Sequence, residues 1–559
     1  MGDEPRLARA GGLGTREEAL ERLAATPSQP LDLLVVGGGI TGAGTALDAA
    51  SRGMRVGLVE RLDFASGTSS KSSKLVHGGL RYLEQREFGL VREASMERDL
   101  LGRLAPHLVE PIPFVIPITN RSHRALFGVG LWTYDALASF KNIKVHKYLG
   151  IDETEKLVPA LPKGKLQGGF LFYDSRTDDV RLVMEVLLQA CRHGATALNY
   201  ARVFDLESSG DVCCAQVEDG LTGSSFEVRA RRVVVAAGVW ADQLENIARE
   251  GAEERLRPSK GIHLVFSREQ IPMAEAAAFI PDAEKKRMLF VIPWLDAVLV
   301  GTTDTLFEGD LDNPTVDDND RRYCLDAVNA AFGLALTDRD IAGAYAGLRP
   351  LVAGKKGATA DLSRRYAIYE ISPGIVGITG GKLTTYRRMA LDVVERIADD
   401  LDVTAKSRTR HIRLGSADID ALRAAVDRRA KKLGMSEQVQ ANLIRCYGDR
   451  ALDVLDLAAA EGALEPLVPG HAPIAAEAVY CARSEMAVHL DDLLARRTRL
   501  SLTDPDAGVG PDAGAADLMA STWGWSLAHR DEEIARHQEK VQRERGVALP
   551  TTPAVSPAG

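Results

Sequence analysis

Three glycines near the start of the chain have the spacing of a dinucleotide-binding turn. Gly37, Gly39 and Gly42 form G-x-G-x-x-G between an apolar run, 31–36, and a small-residue stretch, 43–52. In this pattern the first glycine permits a tight turn and the second admits a pyrophosphate close to the backbone. The third lets the following helix pack on the strand, and the helix N-terminus offers free N–H groups to the phosphates.

An acidic residue follows at the position that the pattern requires. Glu60 ends a second apolar run, 54–59, at about 20 residues beyond the glycines. Its carboxylate can accept hydrogen bonds from the ribose hydroxyls of an adenosine. A lone glycine motif is a weak signal, and an ordinary glycine-rich turn is the alternative. Strand, glycines, helix, strand and terminal acid in this order favour a bound dinucleotide.

Other segments, far apart in the chain, let backbone approach a flat ligand. Residues 66–82 combine serines and threonines, which can donate to phosphates, with Gly78-Gly79; a solvated loop is the alternative. Residues 231–240 read as a buried strand that ends at a small-residue turn. Residues 379–386 repeat the step from glycines to a helix N-terminus, which can stabilise developing negative charge. Dispersed segments that converge on one ligand favour FAD, which binds extended, over a nicotinamide cofactor.

Composition excludes several classes of protein. The 559-residue chain has 78 acidic and 69 basic side chains and a net charge of −9, whereas a nucleic-acid-binding protein is expected to be basic. Its six cysteines form no C-x-x-C pair, so neither a disulfide framework nor a metal site is expected. No apolar run approaches the ~18 residues of a membrane span, and no signal peptide is recognised, so a cytoplasmic protein is expected.

Residues 125–147 contain many bulky apolar side chains flanked by basic ones. The flanking cations are Arg121, Arg124, Lys141, Lys144 and Lys147. Such a segment can lie in a bilayer interface, which predicts peripheral contact with the inner face of the cytoplasmic membrane. A core helix with charged ends has the same pattern, and the sequence does not separate the two.

Changes in composition predict the domain organisation. The expected division is 1–30 as an N-terminal arm, 31–403 as an FAD-binding domain with an interleaved substrate domain (mainly 120–180 and 250–350), 404–546 as a helical domain, and 547–559 as a disordered tail. The fold class is therefore α/β. A Rossmann-like domain is interleaved with an antiparallel-sheet substrate domain and followed by an all-helical C-terminal domain.

Several motifs resemble those of one family of flavoproteins. They are VVGGGITGAG (35–44), TSSKSSKLVHGGLRYLE (68–84), FVIPW (290–294), GTTD (301–304), GLRP (347–350), GGKLTTYR (380–387) and ARRTR (495–499). Together they resemble the FAD-dependent glycerol-3-phosphate dehydrogenases, within the glycine/D-amino-acid-oxidase class, over most of 31–540. Val239 departs from the family, which usually has a proline before the tryptophan, and this difference affects only local loop shape.

The resemblance implies a reaction and a set of cofactor contacts. The reaction is oxidation of sn-glycerol 3-phosphate to dihydroxyacetone phosphate, with a hydride passed from C2 to FAD and electrons passed on to membrane quinone. The residues that the resemblance places on FAD are Gly37, Gly39, Ile40, Thr41, Gly42, Glu60, Arg61, Thr68, Ser69, Ser73, Lys74, Leu75, His77, Gly79, Leu80, Val203, Ala237, Gly238, Trp240, Gly380, Gly381, Lys382, Leu383 and Thr384.

The matching segments also supply candidates for catalysis. They are Arg81, Tyr82, His77, Asp304, Arg349, Arg364 and Lys382. Guanidinium groups suit a phosphate of charge near −2, although Arg365 could replace Arg364. A lysine at a helix N-terminus opposes the helix dipole, so Lys382 is better explained beside a reduced flavin than in solvent.

The proton acceptor is not identified by the sequence. His77 titrates near neutral pH and is one candidate; a histidine that only contacts the flavin is the equal alternative. Tyr82 and Asp304 are candidates for orienting the substrate.

Three other functions are compatible with the pattern. The first is a glycerol-3-phosphate oxidase that passes electrons to oxygen, and the second is another flavin oxidase of the class, acting on an amino acid or a hydroxy acid. The third is a flavin-binding protein without catalysis. The sequence does not determine the oligomeric state, and a homodimer is one arrangement compatible with it.

Overall fold

The structure is a computed structural model that describes residues 12–80, 87–137, 143–162, 164, 166–209, 211–281, 288–352 and 365–547. The strands are β1 Leu31–Val36, β2 Val56–Val59, β3 Leu75–Val76, β4 Glu110–Ile118, β5 Lys147–Leu149, β6 Gly168–Arg176, β7 Thr196–Leu198, β8 Ala201–Ser209, β9 Val212–Asp219, β10 Ser225–Val235, β11 Ser259–Ser267, β12 Ala277–Pro281, β13 Met288–Trp294, β14 Ala297–Gly301, β15 Thr305–Leu306, β16 Gly343–Arg349, β17 Ala367–Ser372 and β18 Ile375–Thr379.

The helices alternate with strands in the first part of the chain and follow one another in the last part. They are α1 Arg16–Ala24, α2 Ile40–Ser51, α3 Phe88–Leu104, α4 Arg121–Leu137, α5 Ile151–Leu157, α6 Asp179–Arg192, α7 Ala241–Ala248, α8 Asp318–Phe332, α9 Tyr386–Asp400, α10 Ile419–Lys432, α11 Glu437–Tyr447, α12 Ala451–Glu461, α13 Ala475–Ser484, α14 Leu500–Thr503, α15 Ala515–Trp523 and α16 Leu527–Arg545. A π-helical turn, Asp492–Arg497, precedes α14.

The first sheet has a parallel centre that carries the glycine turn. Its order is β17-β18-β10-β1-β2-β7, with β8 and β9 joined through β10. Strands β18, β10, β1, β2 and β7 run parallel. The last four residues of β1, Leu33–Val36, are buried, so this part of the strand is shielded on both faces. Helix α2 packs between α6 and α9. A continuous apolar strand of this kind is typical of a parallel sheet covered by helices, as the sequence predicted.

The second sheet is mainly antiparallel and lies over the first domain's ligand side. Its order is β15-β11-β14-β13-β12-β4-β6-β3, with β16 on β11 and β5 on β6; β12 and β4 run parallel. It confirms the predicted antiparallel-sheet domain. It also includes β3 and β4, which precede residue 120, where the substrate domain was expected to begin.

The N-terminal arm is held against the first sheet by a buried ion pair. Thr15 caps α1 by accepting a hydrogen bond from the Glu18 N–H at 3.2 Å. Arg16, at the start of this helix, donates to Asp219 at 2.5 Å, and both side chains are buried. The described part of the arm is therefore packed on the domain that follows it.

The helical C-terminal region is joined to the domain of the first sheet by buried ion pairs. Arg497 contacts Asp63 at 2.8 Å, just beyond β2, and Arg499 contacts Asp178 at 2.8 Å, at the start of α6. Arg450 donates to Glu185, in the middle of α6, at 2.6 and 3.1 Å. These carboxylates and guanidinium groups are almost fully shielded from solvent. Their charges are tolerated because each is paired.

Loss of the Glu185–Arg450 pair should destabilise the protein in a pH-dependent way. Burial alone would raise the pKa of Glu185, but Arg450 and then His107 outweigh it and lower the pKa from 4.5 to about 2. Glu185→Gln leaves a buried guanidinium without its counter-ion, so we expect a loss of about 3–5 kcal/mol in the free energy of unfolding at pH 7, measured by urea denaturation.

The pH dependence has a fixed sign. Because the folded-state pKa is lowered, the contribution of Glu185 is complete above the ordinary value of 4.5 and is lost as the pH falls towards about 2. The gap between the wild type and Glu185→Gln should therefore narrow below pH 4.5. Glu218→Gln, at an exposed pair with Arg202, is the matched control and should cost less than about 1 kcal/mol. Equal losses for the two variants would contradict this account.

Candidate functional site

The turn after β1 brings two backbone segments closer than any side chain would permit. Gly37 has a φ of +117°, and its N–H donates to the carbonyl of Val59 at 2.9 Å. A Cβ on Gly42 would lie 1.9 Å from the Gly37 carbonyl oxygen. The first and third glycines of the motif are therefore required by the fold, and they place the N-terminus of α2 at the end of β1.

Glu60 braces this turn as well as facing the ligand side. One of its carboxylate oxygens accepts from the Gly38 N–H at 2.7 Å, and the other accepts from the Leu62 N–H at 2.9 Å. Burial raises the pKa of Glu60, although these two hydrogen bonds and Arg61 oppose the shift. The residue is thus fixed where the sequence places a ribose acceptor.

A groove of three connected chambers runs from this turn towards the second sheet. The first chamber has a volume of about 330 Å³ and is formed by the turn, the end of β2, and the segments that follow β10 and β18. Its lining includes many of the predicted cofactor residues: Gly37, Gly39, Ile40, Thr41, Glu60, Arg61, Thr68, Ser69, Val203, Ala237, Gly238, Trp240, Gly380, Gly381, Lys382 and Leu383. Segments that are distant in sequence therefore meet at one cavity.

The second and third chambers extend the groove between the two sheets. The second, of about 200 Å³, shares Ile40, Lys382 and Leu383 with the first. The third, of about 100 Å³, shares His77 and Arg349 with the second. Among the other predicted residues, Ser73, Leu75 and Thr384 line the second chamber and Leu80 lines the third. Because adjacent chambers share lining residues, the three together can hold one extended ligand.

Arg349 is held in place at the junction of the second and third chambers. It ends β16, and its guanidinium donates to the Thr302 hydroxyl at 3.0 Å, the Thr303 carbonyl at 3.2 Å and the Asp304 carboxylate at 3.2 Å. Asp304 is itself fixed by a hydrogen bond of 2.5 Å from the Ser259 hydroxyl. The side chain of Arg349 is 28% exposed. A positioned, partly accessible guanidinium is suited to bind a phosphate or a carboxylate.

His77 and Lys382 lie on the cofactor side of the same junction. The backbone N–H of His77 donates to the Thr384 hydroxyl at 3.1 Å. This hydrogen bond ties the serine-rich loop, residues 66–80, to the second glycine turn, residues 379–384. In that turn Gly380 and Gly381 have φ values of +83° and +81°, and Lys382 follows them, just before α9. The predicted cation is thus brought beside the predicted histidine, from about 300 residues away in the chain.

Some predicted residues lie away from the groove. Asp304 does not line any of the three chambers, and its carboxylate accepts a hydrogen bond from Arg349. Gly42 is behind the turn, and Gly79, with a φ of +82°, does not line a chamber either. Arg81, Tyr82 and Arg364 lie outside the described residues. Arg365, the alternative to Arg364, forms an exposed pair with Glu87 at 3.1 Å.

Lys74 also departs from its predicted contact with the cofactor. Its side chain is fully buried, and its ammonium donates to Asp179 at 2.9 Å and to the Ser70 carbonyl at 2.6 Å. Burial lowers the pKa of Lys74 to about 8, although Asp179 opposes the shift. The side chain supports the serine-rich loop from behind and does not line the groove.

Two features of the groove were missed by sequence reasoning. His263 on β11 lines the second chamber, with its Nε2 2.9 Å from the Ser73 hydroxyl and its ring stacked on Tyr345 at 5.0 Å. Burial lowers the pKa of His263 well below its usual value, and Lys74 and Arg349 lower it further. A histidine inside an otherwise apolar strand, Gly261–Phe266, was the available signal.

The second missed feature is an aromatic wall. Phe114, Phe172, Phe279 and Phe290 line the third chamber from four different strands. Phe114 and Phe172 are stacked with ring centroids 5.3 Å apart. No sequence motif joins these residues, because only the pairing of the strands makes them neighbours.

The groove fits FAD on the evidence of its own geometry. The glycine turn has no room for a side chain, and the first and second chambers, which share Ile40, Lys382 and Leu383, continue from it. The indole Nε1 of Trp240, in the lining of the first chamber, is buried without a hydrogen-bond partner in the described part of the chain. A polar ligand in that chamber would satisfy it.

Comparison with known proteins agrees with this fit. Residues 32–387 match the family described as FAD dependent oxidoreductase, and residues 407–530 match the C-terminal domain of alpha-glycerophosphate oxidase. The class of protein is therefore an FAD-dependent oxidoreductase, and its cofactor is FAD. The glycerol-3-phosphate dehydrogenase from Bacillus halodurans, solved in complex with FAD, superposes with a TM-score of 0.78 at 30% identity, covering 96% of this chain and 98% of that one.

Comparison with named relatives identifies the family to which the chain belongs within this class of oxidoreductases. Glycerol-3-phosphate dehydrogenase 2 of Mycobacterium tuberculosis is 40% identical over 543 residues, covering 96% of this chain and 92% of the relative. Aerobic glycerol-3-phosphate dehydrogenase of Staphylococcus aureus is 36% identical over 530 residues, covering 92% and 94%. The chain therefore belongs to the family of FAD-dependent glycerol-3-phosphate dehydrogenases.

Substitution at the third glycine should abolish flavin binding. In Gly42→Ala the new methyl group would overlap the Gly37 carbonyl oxygen, so the turn and the N-terminus of α2 must separate. We expect the purified variant to contain less than about a tenth of the wild-type flavin, because the phosphate site loses its shape. The measurement is the absorbance of bound flavin per mole of folded protein.

Gly89→Ala is the matched control for this substitution. Gly89 lies in α3, and a Cβ there meets no atom within 4 Å. The control should bind a full complement of flavin. A Gly42→Ala protein with wild-type flavin content would show that the turn does not hold the cofactor.

Proposed function

We propose that this protein oxidises sn-glycerol 3-phosphate to dihydroxyacetone phosphate and passes the electrons to membrane quinone. The observation that carries the proposal is the position of Arg349, fixed by Thr302, Thr303 and Asp304 where the FAD groove opens into the third chamber. The names of the relatives, all glycerol-3-phosphate dehydrogenases, support the same substrate.

Arg349 suits the anionic end of this substrate. A phosphate monoester carries a charge near −2, and a guanidinium group can donate two parallel hydrogen bonds to it. Because Asp304 and Thr302 already orient the guanidinium, little side-chain entropy remains to be lost on binding. We assign Asp304 to this positioning of Arg349.

The cofactor and the residues around Arg349 each supply one further part of the reaction. Bound FAD supplies the acceptor for the hydride that leaves C2 of the substrate. Lys382 lines the first and the second chamber, in which we place the cofactor. Its positive charge can stabilise the negative charge that develops on the cofactor. The four phenylalanines of the third chamber limit access of water to the reacting end of the substrate.

His77 is our candidate for the base that removes the C2 hydroxyl proton. It lines both the second and the third chamber, next to Arg349. His263 is the other histidine in this part of the groove, but its ring faces Ser73 and Tyr345 and its pKa is held well below neutral. His77 is therefore the better placed of the two. Arg81, Tyr82 and Arg364 remain further candidates on the strength of their motifs.

One specific observation favours oxygen, instead of quinone, as the electron acceptor. The C-terminal region matches a domain family described for an alpha-glycerophosphate oxidase. Such an enzyme passes electrons to oxygen, and the residues around the groove do not distinguish the two acceptors. The hydrogen peroxide produced per turnover, compared with the reduction of an added quinone, decides between them.

We also propose that the protein contacts the inner face of the cytoplasmic membrane through α4. On this helix Leu126, Val129 and Trp132 are 68%, 70% and 61% exposed, and their spacing of three residues places them on one side. None of the helices in the described part of the chain combines the length and the apolar content needed to cross a bilayer. An exposed apolar helix face is suited to a bilayer interface, where a quinone would also be found.

Anaerobic mixing with glycerol 3-phosphate tests the proposed reaction. We expect the flavin absorbance to bleach in the wild type, and no bleaching would overturn the proposal. In Arg349→Ala the loss of charge-assisted hydrogen bonds should cost about 2–3 kcal/mol of transition-state binding, or about 30- to 150-fold in kcat/KM. Most of this loss should appear as a higher KM.

Arg429→Ala is the control for the loss of an arginine. Arg429 lies on α10 and is 45% exposed, so its removal should leave kcat/KM within about twofold of the wild type. Both variants should keep full flavin content. An unchanged KM in Arg349→Ala would mean that the phosphate binds elsewhere.

Removal of the apolar face should release the protein from membranes. Trp132→Ser with Val129→Ser replaces two exposed apolar side chains of α4, and we expect the fraction that sediments with liposomes to fall at least about fivefold. Leu527→Ser, at the start of α16, is the control because Leu527 is 73% exposed but lies in the C-terminal region. Wild-type protein that stays in the supernatant with neutral and anionic liposomes would exclude membrane contact through α4.

A further inference from the structure

The last helix of the C-terminal region reaches the substrate side of the groove. Helix α16 packs on β16, the strand that ends in Arg349. The carbonyl of Glu544, near the end of α16, accepts a hydrogen bond from the Val316 N–H at 3.2 Å. Glu544 lies beyond residue 530, where the match to the C-terminal domain family ends. This contact with the catalytic part is therefore contributed by residues outside the matched domain.

Glu544 meets a lysine that lines the second chamber. The ammonium of Lys71 donates to the Glu544 carboxylate at 2.6 Å, and the two side chains are 19% and 24% exposed. Partial burial alone would raise the pKa of Glu544, but Lys71 and Lys540 outweigh it and hold the pKa below its usual value. The pair therefore places the Lys71 cation at the wall of the chamber, with the Glu544 carboxylate in contact with it from the side of α16.

Lys71 lies close to the phosphate-binding arginine. A Cβ on Gly347 would be 2.5 Å from the Lys71 carbonyl oxygen and 2.8 Å from its Cβ, so Lys71 packs directly on β16. Gly347 and Arg349 are two residues apart on this strand and face the same side. Lys71 and Arg349 consequently border the same chamber from neighbouring positions.

We propose that Lys71 and Glu544 act as a charge pair that sets the affinity for the phosphate of the substrate, with Lys71 attracting the dianion and Glu544 weakening that attraction. The proposal rests on the proposed function, because it assigns both charges to the binding of glycerol 3-phosphate. A cation that borders the chamber attracts a dianion, and the carboxylate paired with that cation opposes the attraction. Lys71 and Glu544 are thus specificity-determining residues for an anionic substrate.

The pair is not needed to hold α16 in place. Arg545 donates to the carbonyls of Pro505 and Ser501 at 2.8 and 3.1 Å, and Lys540 forms an ion pair with Asp491 at 2.7 Å. These contacts, with the Val316 hydrogen bond, anchor the helix end independently of Lys71. Neutralising Glu544 should therefore change the charge at the chamber without releasing the helix.

Steady-state kinetics of three variants test the proposal. We expect Lys71→Met to raise the KM for glycerol 3-phosphate about fivefold, because the negative charge of Glu544 then stands alone. Glu544→Gln should lower the KM about threefold, because it leaves the positive charge of Lys71. The double variant should return to within about twofold of the wild type, and Lys71→Arg should keep the wild-type KM. Values of kcat should change less than about twofold throughout.

The direction of the changes separates this role from a structural one. If the ion pair had only a structural role, Lys71→Met and Glu544→Gln would disrupt it equally. A rise in KM for both single variants would therefore overturn the proposal. Unchanged KM in both would overturn it as well. The dissociation constant of dihydroxyacetone phosphate, measured from the perturbation of the oxidised flavin spectrum, should show the same opposite shifts.

The flavin content of Lys71→Met and the turnover of the wild type distinguish failure of the charge pair from failure of the proposed function. Loss of flavin from Lys71→Met would assign the cation to the cofactor's pyrophosphate and overturn the proposed contact with the substrate. Wild-type protein that does not oxidise glycerol 3-phosphate would overturn the proposed function itself. Wild-type turnover combined with equal shifts in the two single variants would overturn only the charge pair.

Discussion

The close approach of backbone to backbone at the first glycine turn is the constraint on which the rest of the site depends. With no side chain at Gly42, the N-terminus of α2 can lie against the end of β1, and Gly37 can turn in a conformation that other residues rarely adopt. Glu60 fixes the same turn through the Gly38 N–H. One end of the groove is thereby rigid, and the flavin end can be aligned with Arg349 in the second sheet.

The C-terminal region contributes to the site through buried charges. Arg497 meets Asp63 three residues beyond Glu60, and Arg499 meets Asp178 and Asp179 at the start of α6. Asp179 also accepts from the Ser72 N–H and the Lys74 ammonium, which support the serine-rich loop. A change in this network reaches both ends of the groove, because a buried charge that loses its partner cannot be compensated by water. The C-terminal region therefore helps to hold the segment after β2 and the loop that contains Ser72 and Lys74.

Sequence reasoning succeeded where one short segment specifies its own structure. The glycine motif between its strand and helix and the helical series after residue 404 have the expected types in the structure. It was less successful for side chains whose partners are distant. The structure pairs Asp304 with Arg349 and Lys74 with Asp179, partners that the sequence did not indicate, while the predicted ligand contacts of both residues stay predictions. His263 and the four phenylalanines carried no local signal strong enough to single them out.

The sequence by itself determined the cofactor class and the family, and it singled out the arginines that we propose as phosphate ligands. It could do so because glycine spacing, a terminal acid and particular motifs report local backbone geometry and local chemistry. Only the tertiary structure decided which of those residues share a cavity, which charges are used to hold others, and that α16 packs on β16, the strand that ends in Arg349. Those properties depend on strand pairing and on the burial of charges between segments hundreds of residues apart, which no local pattern specifies.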